Sequence, residues 1–145
     1  MERKEFLKSI GAGAAFAVLF PCLGGCSKDE ENGEILPLPT GIDFTIDLSS
    51  SEGSKLANSG DFILKDLVVV AKNANGDFVA ASQICSHQGY DQVRFQANQD
   101  LFYCDVHGSK FSQDGTPLNQ VDSNPAKALK IYNTELTGTT LRVFE

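Results

Sequence analysis

The sequence reads CSHQGY at residues 85–90 and CDVHGSKF at residues 104–111. These two segments contain both histidines of the 145-residue chain and two of its four cysteines. Each segment offers one soft thiolate and one imidazole, both of which bind transition metals. Because each segment supplies one sulfur and one nitrogen, the two must lie side by side to hold one cofactor. The four predicted metal ligands are Cys85, His87, Cys104 and His107.

Two kinds of metal centre use two cysteines and two histidines. In one class of [2Fe–2S] centre, two histidines replace two cysteines on one of the irons. A structural zinc site takes the same donors in a tetrahedral arrangement, but common zinc fingers place Cys with Cys and His with His. The mixed segments therefore favour the iron–sulfur cluster. Zinc, and a metal-free chain with two buried cysteines, stay as alternatives.

A glycine closely follows each predicted histidine ligand. Gly89 comes two residues after His87, and Gly108 comes directly after His107. Glycine allows the backbone to approach a cluster, so that amide N–H groups can donate to its sulfides. Either glycine alone is explained by an ordinary turn, but the two together favour cluster-binding loops.

Further motifs flank the two segments in a set order. A predicted hairpin, residues 68–71 and 78–80 around an Asn75-Gly76 turn, precedes the first segment, and Asp114-Gly115 and Asn124-Pro125-Ala126 follow the second. The order of these motifs along the chain, from about residue 67 to residue 144, resembles that of a Rieske iron–sulfur domain.

This resemblance implies a [2Fe–2S] cluster and a role for each ligand. Cys85 and Cys104 would bind the inner iron, and the imidazoles of His87 and His107 the outer, more exposed iron. Pro125 stands where the family has a proline-bearing third loop that covers the cluster, although Asn124 replaces the more frequent glycine before it.

Three positions depart from or match particular branches of the family. The quinol-oxidising branch has a disulfide between the ligand loops, but the corresponding positions here are Tyr90 and Val106. Ser109 matches the serine whose hydroxyl donates to a bridging sulfide in high-potential members, with a turn hydroxyl as the alternative. Phe111 replaces a tyrosine that donates to a ligand sulfur. One donor kept and one lost predict a potential near the middle of the roughly −150 to +300 mV Rieske range.

A cluster of this kind passes one electron. Protein ligands and sulfides fill both irons, so no coordination position is open to a substrate. The exposed imidazoles can also lose protons in a way that depends on the iron oxidation state, which permits proton-coupled transfer as in quinol oxidation.

The beginning of the chain predicts export. Residues 1–25 have a basic start and a short apolar run, residues 10–25, which is below the ~20 residues needed to span a bilayer. Arg3-Lys4 resembles a twin-arginine export motif, with a lysine in place of the second arginine. Leu23-Gly24-Gly25-Cys26 resembles a lipoprotein processing site with lipid on the Cys26 thiol. Cys22 would then leave with the signal peptide.

Residues 26–40 are predicted to be a lipidated, flexible tether. The stretch after Cys26 is polar and acidic, and it resembles the export signal of some surface-displayed bacterial lipoproteins, although acidic spacers are common. The predicted localisation is therefore a lipid anchor on a bacterial membrane. The periplasmic side of the inner membrane, the outer membrane and the cell surface all stay open.

Composition excludes one class of partner. The net charge of the chain is −7, and removal of residues 1–25, with three basic and two acidic groups, makes it −8, so nucleic acid is not a predicted partner. An acidic electron carrier is typically steered toward a basic patch on its redox partner.

The rest of the sequence predicts one all-β domain over residues 41–145. Strands are predicted at residues 42–48, 62–64, 67–71, 78–80, 101–103, 129–132 and 140–144, with no convincing long helix. The expected fold is a Rieske-like antiparallel β sandwich or barrel, in which the two ligand loops form a cluster-binding subdomain. The predicted aromatic core consists of Phe44, Phe62, Phe78, Phe95, Phe102 and Phe144.

The predicted function is that of an exported, lipid-anchored Rieske protein that transfers single electrons. It would serve as a carrier or as a subunit of a quinol-linked or oxidase redox chain, and would not be an enzyme on its own. A structural metal-binding surface lipoprotein is the alternative. A cytoplasmic ferredoxin that feeds a ring-hydroxylating oxygenase is a third hypothesis, which the missing disulfide favours and the N-terminal signal opposes.

Overall fold

The structure is a computed structural model that describes residues 34–145. The predicted signal peptide, the lipidation site Cys26 and the first part of the tether lie outside the described residues. Within the described part of the chain, no helix has the length and apolarity required to cross a membrane.

The described chain is built almost entirely from short antiparallel strands, which confirms the predicted fold class. Its one helical element is a single turn of 3-10 helix at Gly53–Leu56. The nine strands are β1 Asp43–Asp47, β2 Phe62–Lys65, β3 Val68–Lys72, β4 Phe78–Ser82, β5 Val93–Gln96, β6 Leu101–Cys104, β7 Ser109–Phe111, β8 Ile131–Thr137 and β9 Thr140–Phe144.

The strands form two sheets of different size. The larger sheet has the order β1-β9-β8-β4-β3-β2, and the smaller one has the order β5-β6-β7. The β3–β4 hairpin closes through the predicted Asn75-Gly76 turn, where Gly76 has a φ of 88°, a value that favours glycine. The smaller sheet is the cluster-binding subdomain that the sequence predicted, because both candidate ligand loops adjoin its strands.

Two hydrophobic clusters form the core. One lies among β1, β3, β8 and β9 around Ile46, Val68 and Leu141. The other contains Val69, Phe95 and Phe102 together with the two candidate cysteine ligands and Phe111. The candidate sulfur ligands therefore belong to the packed interior of the domain.

The predicted aromatic core is correct only in part. Phe95 and Phe102 are buried, whereas the other four predicted phenylalanines are only partly buried. The central strand β3 explains the difference, because its residues from Val68 to Ala71 are all fully buried and supply aliphatic volume to both faces of the larger sheet. The partly buried set is Phe44, Phe62, Phe78 and Phe144.

The predicted strand boundaries differ from the structure in two regions. Strands β5 and β7, with four and three residues, are not among the predicted ones. The strand predicted at residues 129–132 runs instead from Ile131 to Thr137. It begins later than predicted because the backbone N–H of Leu129 donates to the carbonyl of Gly115 at 2.9 Å. That bond takes Leu129 out of the ladder.

Gly115 therefore fixes one end of the segment that connects β7 to β8. We call residues 116–128 the covering segment. Gly115 has a φ of 87°, and a Cβ at this position would lie 2.3 Å from the carbonyl oxygen of Leu129. Only glycine permits this approach, which brings the two ends of the covering segment together.

We expect Gly115→Ala to destabilise the domain more than Gly76→Ala does. Both glycines have nearly the same positive φ, but nothing lies within 4 Å of a Cβ at Gly76. The backbone strain costs about 1–2 kcal/mol at either position, and the clash adds roughly 1–3 kcal/mol at Gly115 alone. Urea unfolding measures both free energies, and equal losses would contradict the role assigned to Gly115.

Candidate metal centre

The two predicted ligand loops have the same local construction. In the first loop, which connects β4 to β5, the N–H of Gly89 donates to the carbonyl of Cys85 at 2.8 Å. In the second, which connects β6 to β7, the N–H of Gly108 donates to the carbonyl of Cys104 at 3.0 Å. Both glycines have positive φ, 82° and 79°, so each loop turns back on its own cysteine where other residues would be strained.

The sequence orients the cysteines in different ways. Cys104 is the last residue of β6 and pairs with Ser109 at the start of β7, so the hairpin itself sets its direction. The backbone N–H of Cys85 donates to the carbonyl of Tyr90 at 2.8 Å, which closes the first loop just before β5. Both side chains thereby enter the core cluster of the smaller sheet, where Cys85 is 3% exposed and Cys104 is 1% exposed.

The two buried thiols lie within hydrogen-bonding distance of each other. The Cys104 thiol donates to the Cys85 sulfur and lowers the pKa of Cys85 to about 6, despite the burial of that group. The same bond, together with burial, raises the pKa of Cys104. A pair of adjacent buried sulfurs, one of them favoured as a thiolate, is a site prepared to bind a metal.

Hydrogen-bond donors surround both sulfurs. The backbone N–H of His87 and the hydroxyl of Ser109 donate to the Cys85 sulfur. The backbone N–H groups of Val106 and His107 donate to the Cys104 sulfur. Such donors stabilise negative charge on sulfur, and in metal centres they tune the electronic properties of the ligands.

The two histidines form a second pair beside the thiols. Their ring centroids lie 4.9 Å apart in an edge-to-face arrangement. His107 is exposed to solvent, but the side chain of His87 is only 13% exposed. The expectation of two exposed imidazoles therefore holds for His107 and not for His87, because Asp122 of the covering segment lies against the His87 ring.

One nitrogen of His87 is buried without a hydrogen-bond partner. Its Nε2 lies 2.6 Å from Oδ2 of Asp122, whereas its Nδ1 is one of two buried side-chain polar atoms in the described chain that have none. A buried polar atom of this kind costs free energy unless a ligand satisfies it. The lone pair of His87 Nδ1 is therefore suited to coordinate a metal.

The covering segment also brings Pro125 to the site. A cavity of about 340 Å³ is lined by His87, Ser109, Phe111, Asp122 and Pro125, among others. Gly108 contacts the same segment, since its carbonyl accepts a hydrogen bond from Asn119 Nδ2 at 2.8 Å. All the residues predicted for the centre thus lie in the two ligand loops, at the strand ends next to them, or in the covering segment.

The donors are grouped by type, sulfur with sulfur and nitrogen with nitrogen. Among residues 34–145, no three His, Cys, Asp or Glu side chains are arranged to hold a single metal ion. Paired thiols beside paired imidazoles match a two-iron cluster that has sulfur ligands on one iron and nitrogen ligands on the other. Together with the unsatisfied His87 Nδ1, the residues fit such a cluster.

Comparison with known proteins assigns the fold and the site to one family. A family model for the Rieske [2Fe-2S] domain matches residues 47–133. The chain belongs to the Rieske [2Fe-2S] domain family. It is a Rieske electron-transfer protein, its cofactor is a [2Fe–2S] cluster, and it acts with redox partners. The predicted cofactor is thereby confirmed.

Relatives of this Rieske protein come from several kinds of redox system. The cytochrome b6-f complex iron-sulfur subunit of Chlorobaculum tepidum is 30% identical over 136 residues, which cover 90% of this chain and 70% of that subunit. The 2-halobenzoate 1,2-dioxygenase large subunit of Burkholderia cepacia is 34% identical over 74 residues, which cover 48% of this chain and only 16% of that subunit.

A solved structure confirms the Rieske fold. The ferredoxin of carbazole 1,9a-dioxygenase from Nocardioides aromaticivorans IC177 matches with a TM-score of 0.50 and 23% identity, over 62% of this chain and 91% of the ferredoxin.

Two contacts of this Rieske domain escape prediction from the sequence. Tyr90, which occupies a position of the family disulfide, packs its ring against His107 at a centroid distance of 5.8 Å and so joins the two loops without a covalent bond. Asp122 binds His87 from a segment with no regular structure. Its only signal in the sequence is Asp122-Ser123-Asn124, a composition typical of a tight Asx turn.

We expect Ser109→Ala to lower the midpoint potential of the cluster. The Ser109 hydroxyl donates to the Cys85 sulfur, and a donor to sulfur favours the reduced, more negative state. Loss of about 1 kcal/mol of hydrogen bonding corresponds to about 40 mV for one electron.

Spectroelectrochemical titration measures this shift. Ser112→Ala is the control, because the Ser112 hydroxyl donates instead to the carboxylate of Asp114. An unchanged potential for Ser109→Ala, or an equal shift in the control, would contradict the predicted role.

Proposed function

We propose that this chain is an exported, lipid-anchored Rieske protein that carries single electrons between a quinol-linked donor and an acceptor protein. It would work as a carrier or as a subunit of a membrane redox complex. The observation that carries the proposal is the pairing of buried thiols and adjacent imidazoles on two loops of the smaller sheet.

The proposed ligand assignment follows the pairing. Cys85 and Cys104 would hold one iron, and His87 and His107 the other. The bound cluster supplies a one-electron couple. The chain itself buries the sulfurs from water, directs backbone N–H groups at them, and leaves His107 at the surface as the point nearest to a partner.

The acidic surface supports a protein partner of opposite charge. The chain has 19 acidic and 12 basic residues, so its field attracts a basic surface and repels polyanions. A redox partner that approaches His107 with a basic patch would bind transiently and be sensitive to salt.

Two observations support a place at the membrane. The 30% identity to the cytochrome b6-f complex subunit extends over 90% of the chain, which is more than residues 34–145 alone can account for, so the similarity reaches into the predicted export region. Furthermore, the chain enters the domain at the cluster loop. Ile35 pairs with Tyr90 in an antiparallel bridge, and the N–H of Leu36 donates to the carbonyl of Gly89 at 2.9 Å.

This entry point limits the distance from the proposed anchor to the cluster. Seven residues lie between Cys26 and Glu34, which makes eight steps along the chain of at most about 3.6 Å each. The first ligand loop would therefore remain within about 30 Å of the lipid, where a membrane-bound donor can reach it. The last part of the predicted tether, residues 34–40, contacts the domain, and the boundaries at residues 25 and 40 stay predictions.

A ferredoxin of an oxygenase system is the second candidate. The structure contains no disulfide between the loops within the described residues, since Cys85 and Cys104 are both free thiols. The missing disulfide favours the ferredoxin, whereas the N-terminal region favours the membrane-bound carrier.

Low-temperature EPR of the dithionite-reduced protein, with iron and zinc quantified, tests the cofactor and its ligands. We expect a rhombic signal with a low average g value and two irons per chain. His107→Ala should lose most of the cluster, whereas Lys110→Ala, an exchange in the same hairpin, should retain it. Full occupancy with an unchanged spectrum in His107→Ala would remove His107 from the ligand set.

Substitution of single cysteines tests the anchor. Cys26→Ala should release the protein from the membrane fraction and remove the lipid mass from the N-terminal peptide. Cys22→Ala is the matched control, because Cys22 is predicted to leave with the signal peptide. Equal membrane retention of both variants would contradict lipidation at Cys26.

A further inference from the structure

The covering segment contacts the two ligand loops through different side chains. Asn119 binds the second loop, because its Oδ1 accepts a hydrogen bond from the N–H of Lys110 at 2.8 Å and its Nδ2 donates to the carbonyl of Gly108 at 2.8 Å. Asp122 binds the first loop through Nε2 of His87 at 2.6 Å. One short segment therefore connects both halves of the metal centre.

The Asp122 carboxylate is itself held in place. The backbone N–H of Asn124 donates to Oδ1 at 2.8 Å, and Nδ2 of Asn124 lies 3.3 Å from Oδ2. Gln120 donates to the backbone carbonyl of Asp122 at 2.9 Å. At neutral pH this aspartate is a carboxylate, as its ordinary pKa requires.

This contact selects one form of the His87 ring. A carboxylate only accepts hydrogen bonds, so Nε2 must carry the proton and Nδ1 must present its lone pair. Nδ1 is the atom that the fold buries without a partner. Histidines that bind metals commonly donate their other N–H to a carboxylate, which fixes the tautomer and raises the basicity of the ligand.

The second histidine has a different environment. His107 is exposed, whereas the side chain of His87 is 13% exposed and that of Asp122 is 32% exposed. The ring of His107 contacts the rings of His87 and Tyr90. The two imidazoles are therefore unequal: one is paired with an anion and covered, and the other faces solvent.

We propose that Asp122 is a positioning residue of the metal centre, which orients His87 for coordination through Nδ1, lowers the reduction potential with its fixed charge, and leaves His107 as the imidazole presented to redox partners. This inference rests on the proposed ligand set. A negative charge on an imidazole ligand stabilises the oxidised, more positive state of the centre, so removal of the charge raises the potential.

Two variants of the holo-protein test the effect on the potential. Asp122→Asn removes the charge and keeps an acceptor, and Asp122→Ala removes both. We expect the equilibrium constant for reduction to rise about tenfold, the lower end of the effect that loss of such a partner has on the affinity or activity of metal sites. This factor corresponds to about 59 mV for one electron, with the larger shift in Asp122→Ala. Asp105→Asn is the matched control, because it removes an equal charge from an exposed position beside Cys104.

A second measurement does not require the cluster. Long-range ¹H–¹⁵N NMR of the metal-free protein at about pH 8.5, two units above the ordinary histidine pKa, reports the tautomer of each ring. We expect the Nε2–H form of His87 in the wild type and a mixture in Asp122→Ala, with His107 unchanged.

The outcomes separate the two proposals. A wild-type protein without a two-iron centre would overturn the proposed function itself. A loaded protein whose potential stays unchanged in Asp122→Asn, or shifts equally in Asp105→Asn, would overturn the role of Asp122. An unchanged His87 tautomer in Asp122→Ala would do the same, even where that variant loses its cluster.

Discussion

The structure depends on the burial of two adjacent thiols at the end of the smaller sheet. A buried thiol pair that must become anionic to bind metal needs compensation, since an unpaired charge in the interior is costly. The two loops supply it with backbone N–H groups from His87, Val106 and His107. Gly89 and Gly108 allow each loop to turn back sharply enough for this arrangement. The local sequence of the loops is thus explained by the charge of the centre that they hold.

The remainder of the fold keeps these loops in place. The buried strand β3 joins the two hydrophobic clusters, since Val69 packs in the one with the cysteines and Val68 and Val70 in the other. From the opposite side, the covering segment is held by the close approach of Gly115 to Leu129. The centre therefore lies between a rigid sheet and a segment without regular structure. The amino-acid sequence of this segment can vary more than that of the strands, because the segment is held by side-chain hydrogen bonds and not by backbone hydrogen bonds between strands.

The fold class and the cofactor could be predicted from the sequence because both depend on short-range signals, whereas the ligand set stays a prediction. The Cys and His spacing is local, the Asn75-Gly76 turn has a defined geometry, and strands such as β1 alternate over five residues. The rest depends on contacts between distant residues. Asp122 is 35 residues from His87, and nothing in the pattern around Asp122 identifies its partner. The same is true of the partly buried phenylalanines, whose exposure depends on how much volume the valines of β3 fill.

The two histidines of this Rieske centre differ in exposure, so the centre is open to a partner at His107 and covered at His87. In branches of the family with a disulfide, a covalent bond joins the loops, whereas here the ring of Tyr90 packs against His107 and Asp122 pairs with His87. The first contact joins the two loops by packing, and the second joins the covering segment to the first loop by charge. His87 is covered by Asp122 of the covering segment, whereas His107 contacts Tyr90, which pairs with Ile35 where the described chain begins. A partner that exchanges electrons at His107 therefore meets the centre on the side where the chain comes from its proposed membrane anchor.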